Sequence, residues 1–318
     1  EYINVSDLSY QEWINVGFAL KAEGYDVSVW DNWSRNDSRF KDGECFTKWD
    51  SFEGNEIKGG TIVKMAKDRG MVVSSKSGTF DFDYAINESD KEMLSSKKKL
   101  SPSEQLIKYL ETLFMPDEYV GYVTDDVYED AEGKFKPRFG MYRFTQKQII
   151  ENLKTYGDDI GASVGDYNPL CGAWIRYNPL NGEGIKNENV TRFDYALVEC
   201  DEISIEEQYK AYMKFNLPIA CLVSSGGKSL HAIVQVNANS LEEYKKRVSF
   251  LYSQLTAAGL KLDVQNKNPS RLSRMPGVMR NGNEQTLLAT DIGAKDWDEW
   301  LSFMEDLNDE LCGFEYIS

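Results

Sequence analysis

The residues able to do chemistry gather in four short words: VECDE (Val198–Glu202), SGGKSLH (Ser225–His231), LKLD (Leu260–Asp263) and PSRLSRMPG (Pro269–Gly277). Glu199 and Asp201 close an apolar run, Phe193–Cys200, where ionised carboxylates are costly unless paired or bound to a cation. Being two apart on an extended backbone, they point the same way, while Glu202 points to the other face. Hard oxygen donors of this kind suit Mg²⁺ or Mn²⁺, above all when substrate phosphates complete the shell. Gly226 and Gly227 can present backbone N–H groups to an anion, and Lys228 adds charge beside Ser229. His231 is the chain's single histidine. Arg271 and Arg274 are three apart, on one face if their segment is helical, and guanidinium forks match phosphate oxygens. The chemistry in view is that of a metal-and-phosphate site.

SGGKSLH is not a P-loop. The Walker pattern needs a glycine where Leu222 stands and a helix afterwards, yet Ser229–Val236 alternates with the period of a strand. The elements that must position these groups read in order as a strand Phe193–Cys200, a capped helix Ser204–Phe215, strands Ile219–Ser224 and Ser229–Val236, a second capped helix Ser240–Ala258, and a short strand Leu260–Val264. This is a split β-α-β-β-α-β unit, ferredoxin-like or RRM-like. A right-handed crossover leaves the third strand between the first two, antiparallel to both. If the fourth strand takes the free side of the first, Glu199, Asp201, His231 and Asp263 meet at one rim of the sheet.

The remainder of the chain frames that unit. Residues 1–73 read as a small helical module: Ser9 and Glu12 form a capping-box pattern, Trp13, Val16 and Leu20 keep helical spacing, and Thr61 can cap a further helix. Four of the seven tryptophans, Trp13, Trp30, Trp33 and Trp49, lie here. They could stack on single-stranded bases, but filling a small core is the commoner use. Residues 74–101 read as a linker whose lysine run Lys97–Lys99 is a solvated tether or a phosphate contact. Residues 102–318 form the larger domain, with its core at 193–290 and an added N-terminal α/β subdomain. There Ser101, Pro102 and Glu104 open a helix, Tyr119–Thr124 and Phe135–Phe144 read as paired strands, Thr145 and Gln148 cap a helix, and Cys171–Tyr177 is a strand. Gln285–Ala289 is a last strand, and a helix around Trp297, Trp300, Leu301 and Met304 packs on the core.

The formal net charge is −16, from 36 Lys+Arg against 52 Asp+Glu. Such a balance argues against broad coating of nucleic acid but leaves room for a local basic groove. No window has the apolar length of a membrane span and no signal peptide is visible, so a cytoplasmic protein is expected. Five cysteines without a CxxC, beside one histidine, argue against a Cys/His zinc site and fit reduced thiols. The first residue is not Met, as in a piece excised from a longer protein.

An acidic pair after a hydrophobic strand (Glu199, Asp201), then Ser-x-His (Ser229, His231), then a third acid (Asp263) resembles the catalytic core of the archaeo-eukaryotic primase superfamily, especially primase-polymerases of phages, plasmids and mobile elements. The resemblance is close over 193–280 and loose over 105–310. Its one departure is Glu199, where many members carry Asp. W-x-x-V-G-x-A-L (Trp13 to Leu20), W-D-x-W-S (Trp30 to Ser34), K-W-x-S-F (Lys48 to Phe52) and a G-T-I helix resemble a small helical domain usually found after primase domains, here placed first. The resemblance implies template-directed nucleotidyl transfer: Glu199, Asp201 and Asp263 holding two Mg²⁺ or Mn²⁺ ions, and Lys228, Ser229, His231, Arg271 and Arg274 holding the triphosphate of an NTP or dNTP. It implies a single-stranded DNA template, no membrane, and a helicase on the same full-length chain or in trans. Rival classes are a non-catalytic DNA-binding initiator with a decayed core and a nucleotide cyclase, which shares such a palm. A rolling-circle nickase lacks its second histidine.

Overall fold

The structure is a computed structural model that describes residues 3–22, 24–52, 57, 60–69, 84–95 and 100–315. The chain divides into two compact units, residues 1–79 and 80–318.

In the first unit a 3₁₀ turn (Val5–Asp7) precedes helices α1 (Tyr10–Ala22), α2 (Val27–Ser34), α3 (Glu44–Asp50) and α4 (Gly60–Asp68). The capping box expected at α1 is formed. Ser9 N and Oγ both donate to Glu12 Oε2 (2.9 and 2.8 Å), and Glu12 N donates back to Ser9 Oγ (3.3 Å). Trp30 is fully buried, its ring 4.4 Å from that of Trp13 and 5.4 Å from that of Phe52. Trp13 Nε1 donates to Ser34 Oγ (2.8 Å), which satisfies the indole N–H at the edge of this core. The tryptophans therefore pack the module, Trp30 at its centre and Trp13, Trp33 and Trp49 partly buried around it.

The second unit begins with α5 (Glu88–Leu94), inside the stretch expected as a linker. Asn87 and Asp90 form its capping box, and the Tyr209 hydroxyl donates to Asp90 Oδ1 (2.7 Å), so residues 84–95 fold against the larger unit. The lysine run Lys97–Lys99 lies outside the described residues. There follow α6 (Pro102–Leu113), β1 (Tyr119–Val123), β2 (Val127–Glu129), β3 (Phe135–Pro137), β4 (Met141–Thr145), α7 (Gln146–Tyr156), α8 (Ile160–Val164), β5 (Trp174–Arg176) and β6 (Phe193–Val198). Next come α9 (Ile205–Lys214), β7 (Ile219–Ser224), β8 (Leu230–Ala238), α10 (Leu241–Ala257), β9 (Leu272–Arg274), β10 (Val278–Arg280), β11 (Asn283–Ile292) and α11 (Trp297–Glu315).

These strands form a four-stranded sheet, β4-β1-β5-β9, a five-stranded sheet, β10-β11-β7-β8-β6, and a separate β2-β3 ribbon. Every pairing is antiparallel. As expected, β8 lies between β6 and β7, with Val198 opposite Ala232 and Val223 opposite His231. The fourth strand of the split unit is not there. Leu260–Val264 forms no strand; Asp263 caps a 3₁₀ turn, Val264–Lys267, by accepting from Gln265 N (2.9 Å). A short acidic side chain that bonds its own downstream backbone competes with strand pairing, and here it wins. β6 is therefore a sheet edge, and the second neighbour of β7 is β11. The result is an α+β domain of antiparallel sheets rather than the ferredoxin-like palm.

Period-two alternation sets the layers. On β6, Ala196 and Val198 pack beneath the helices with Tyr212, Val248 and Trp300, whereas Tyr195 and Leu197 join Leu110, Val120, Ile149 and Ile175 on the side of the four-stranded sheet. On β8, Leu230, Ala232 and Val234 take the helical side and Ile233 the other. Glu199 and His231, in step with Leu197 and Ile233, consequently face the second sheet.

Phe135–Phe144 is two strands rather than one. The Asp126 carboxylate accepts from both Phe139 N and Gly140 N (3.0 Å each) and bends the chain between them. Gly140 has φ +67°, and a Cβ there would stand 2.1 Å from the Tyr122 carbonyl oxygen, so only glycine makes this turn. Among the described residues no helix is long and apolar enough to cross a membrane. Cys45, Cys171, Cys200 and Cys221 are free and buried.

Candidate functional site

A cleft of about 1250 Å³ opens where the end of β6, the β7-β8 turn and the edge strand β9 converge. Its walls include every residue singled out from the sequence: Glu199, Asp201, Lys228, Ser229, His231, Asp263, Arg271 and Arg274.

Glu199 is the hub. Its Oε1 lies 3.2 Å from His231 Nε2 and accepts from Ser229 Oγ (3.0 Å), and its Oε2 accepts from Asn266 Nδ2 (3.4 Å). Burial pushes this carboxyl up, but the His231 charge and the hydrogen bonds from His231, Ser229 and Asn266 outweigh it and hold the group at about 2. His231 is 5% exposed, and its Nδ1 sits 3.1 Å from Ser273 Oγ. Asn266 Oδ1 in turn accepts from Arg271 Nε (3.0 Å). A continuous polar chain thus runs Arg271–Asn266–Glu199–His231–Ser273. Asp201 and Asp263 are exposed on the same cleft, with Arg271 Nη2 3.6 Å from Asp263 Oδ2.

The arginine pair is arranged differently from the helical expectation. Arg274 lies on strand β9, and the β5-β9 register sends alternate residues to opposite faces: Ser273 opposite Ile175 turns inward to His231, while Arg274 opposite Trp174 turns outward. The Arg274 guanidinium stacks over the Trp174 ring at 4.4 Å and donates to the Cys171 carbonyl (2.9 Å). Two further arginines of the cleft, Arg176 and Arg280, stand outside the residues assigned from sequence. Arg176 is 5% exposed, donates to the Ser270 carbonyl, and has a buried Nε without a partner. It fits because β1 carries Gly121, where a Cβ would come within 2.6 Å of Arg176 Cδ. Arg280 donates to the Ser225 carbonyl (3.0 Å). Burial pulls all three guanidinium groups down. Arg176 falls to about 10; for Arg274, the neighbouring Arg280 charge adds to burial and takes it to about 9. The contacts holding these three cations are carbonyl oxygens rather than carboxylates, which leaves their charge available to an anion.

Three carboxylates on one cleft have the donor chemistry of a Mg²⁺ or Mn²⁺ site. Among the described residues no three His, Cys, Asp or Glu side chains are grouped as a ready-made ligand set. Mg²⁺, however, is commonly held by one or two carboxylates with substrate phosphates completing its shell, a demand that exposed Asp201 and Asp263 can meet.

The geometry so far defines a small tryptophan-cored helical unit and an α+β domain with a carboxylate-histidine-arginine cleft. Residues 1–66 match the family Primase C terminal 2 (PriCT-2). The match covers the stretch whose Trp13–Leu20, Trp30–Ser34 and Lys48–Phe52 patterns resemble a primase-associated helical module. No match is found among curated proteins. Solved structures similar to this chain include the AEP domain of the cyanophage S-2L primase-polymerase, with 17% identity, TM-score 0.41, and 63% of this chain and 96% of that one covered. They also include the primase RepB', with 13% identity, TM-score 0.40, and 68% and 66% coverage. The catalytic domain of RepB' in complex with initiator DNA is a third, at 13% identity, TM-score 0.41, and 67% and 98% coverage.

Proposed function

We propose that this protein is a replication primase or primase-polymerase of a phage, plasmid or mobile element, joining NTPs or dNTPs on a single-stranded DNA template. The observation that carries the reading is one cleft holding three carboxylates from two separate stretches of chain together with Lys228, His231 and four arginines. Acids for divalent cations facing cations for a polyphosphate is the demand of nucleotidyl transfer. Glu199, Asp201 and Asp263 would hold the ions, which when bound activate a 3′-hydroxyl and stabilise charge at the α-phosphate.

The chain's own side chains bind and orient the nucleotide. Arg176, Arg271, Arg274 and Arg280, with Lys228, offset the charge of the triphosphate, and the guanidinium forks fix its oxygens. His231 is held by Ser273 and Glu199 on its two nitrogens, which fixes the ring in one orientation, and its Nε2 would turn to the polyphosphate once the Glu199 carboxylate is engaged by an ion. Ser229 Oγ fixes Glu199 from the turn side. Pyrophosphate leaves along the arginine wall.

The test is a gel of products from a single-stranded template, Mg²⁺ or Mn²⁺, and each nucleotide set. The wild type is expected to extend or initiate chains. Asp201→Asn should abolish incorporation while its thermal transition stays unchanged; synthesis retained in that variant removes the carboxylate from the reaction.

A further inference from the structure

Residues 134–144 read Lys-Phe-Lys-Pro-Arg-Phe-Gly-Met-Tyr-Arg-Phe: four cations, four aromatic rings and no acid, in a chain of net charge −16. Folding turns this stretch outward. Phe139 is 69% exposed, and Met141, Phe144 and Tyr128 are exposed beside it. β4 is an edge strand, and three residues, 138–140, link the β2-β3 ribbon to it. The presentation is built: the Asp126 carboxylate clamps the backbone N–H groups of Phe139 and Gly140, and Arg138 N donates to the Asp126 carbonyl (2.9 Å). Arg138 is held over the Tyr128 ring at 5.3 Å and Arg143 over Tyr142 at 5.6 Å. Among the described residues neither arginine forms an ion pair with a carboxylate, whereas Lys134 pairs with Glu132 and Lys136 with Asp130. The surface is continuous with the cleft, since Tyr128, Lys134, Phe135, Lys136 and Pro137 form part of its lining.

We infer that this ribbon and edge strand form a single-stranded nucleic-acid track, on which the template runs toward the cleft. Its bases stack on Phe139 and Tyr128, and its phosphates meet Arg138 and Arg143. Exposed rings interleaved with unpaired cations suit a strand whose bases are free, because stacking tolerates any sequence and the cations follow the backbone. A duplex keeps its bases stacked inside and gives the rings nothing to hold. The track rests on the nucleotidyl-transfer reading for its direction, but its binding can be measured apart from synthesis.

The experiment uses the whole chain and a fluorescein-labelled thymidine oligonucleotide of about 30 nucleotides, single-stranded or annealed, with anisotropy read across salt. Phe139→Ala should weaken single-strand binding roughly tenfold and leave duplex binding alone, while Phe139→Trp restores it. Arg138→Ala with Arg143→Ala should weaken binding by a similar factor. It should also flatten the dependence of log affinity on log salt by about 1.4, at about 0.7 per phosphate contact on single strands. All these side chains are on the surface, so circular dichroism melts should coincide with wild type. Single-strand affinity within twofold of wild type in the variant combining Phe139→Ala, Arg138→Ala and Arg143→Ala overturns the track and returns the surface to a protein partner, as does an equal loss on duplex. If the wild type makes no product yet its binding depends on Phe139 and Arg138, nucleotidyl transfer fails and the track stands. If it makes product while the variants bind unchanged, the track alone fails.

Discussion

Arg176 offers the sharpest test of the cleft, because its charge is buried with so few partners. Its guanidinium is buried beside β1, accepted by one carbonyl, with Nε unpaired. Burial lowers it from 12.5 to about 10, which at 1.36 kcal/mol per pKa unit is roughly 3 kcal/mol against folding. The sign follows from linkage: a cation whose folded value lies below its unfolded one carries the whole penalty at any pH below about 10, and sheds it only above. Replacing Arg176 with Met keeps an apolar stem, removes the charge, and strands the Ser270 carbonyl at about 1–2 kcal/mol. The net expectation is a gain of about 1–2 kcal/mol, or a rise of roughly 2–8 °C in the melting temperature of the larger unit. The ligand response should move oppositely. Inorganic tripolyphosphate with Mg²⁺ should raise the melting temperature of wild type and much less that of Arg176→Met. Scanning calorimetry at neutral pH, with Arg176→Lys as the charge-retaining control, reads both effects. An Arg176→Met protein less stable than wild type, yet equally stabilised by tripolyphosphate, would refute the view that this charge is held in reserve for an anion.

The other predictions draw on separate parts of the molecule. His231→Ala should raise the KM for nucleotide more than it lowers kcat, and Ser273→Ala should do the same more weakly, because Ser273 acts only by orienting the ring; steady-state kinetics over nucleotide concentration separates the two parameters. The depressed carboxyl of Glu199 contributes stability that is complete above about 4.5 and is lost as pH falls toward about 2, so the stability difference between wild type and Glu199→Gln, read by urea unfolding, should narrow over that window. Trp30→Ala should cost about 3–5 kcal/mol and melt the helical module, which calorimetry would show as the loss or early melting of one transition while that of the larger unit keeps its temperature.

What was legible in the sequence is what local chemistry decides. Ser9, Thr145, Ser204 and Ser240 announce helix starts because a short hydroxyl accepts from the third amide onward, and each of these helices forms. Ser101 opens its helix too, but its backbone N–H donates to Glu104 while its hydroxyl donates to Asp158. Alternation along Ser229–Val236 marks a strand after the glycine pair, and β8 is that strand. The order β6-β8-β7 followed from the handedness of one crossover. LKLD failed for a local reason too, one that could have been weighed: an Asp before a polar VQNK run is as good a cap as a strand end, and Asp263 caps. Within the stretch read as a linker, α5 was not legible because it is short and acquires its partners, Asp90 to Tyr209 above all, from a helix more than a hundred residues away.

The site splits along the same line. Glu199, Asp201, Ser229 and His231 stand out in the sequence because they cluster in words, and the β6 and β8 registers carry those words to one end of the sheet. Ser273 and Arg176 were missed because their roles depend on β9 pairing with β5, a contact between strands about a hundred residues apart that no local pattern encodes. That pairing also decides what each residue of the last word does. Within Leu272–Arg274, one side chain turns inward to hold the histidine, and the next turns outward to an indole and the anion wall. A register shift of one residue at β9 would exchange these two faces, putting a guanidinium against His231 and removing the hydroxyl from it. The cleft therefore depends on the Trp174–Arg274 register as much as on its carboxylates, and the four-stranded sheet is part of the site rather than its support.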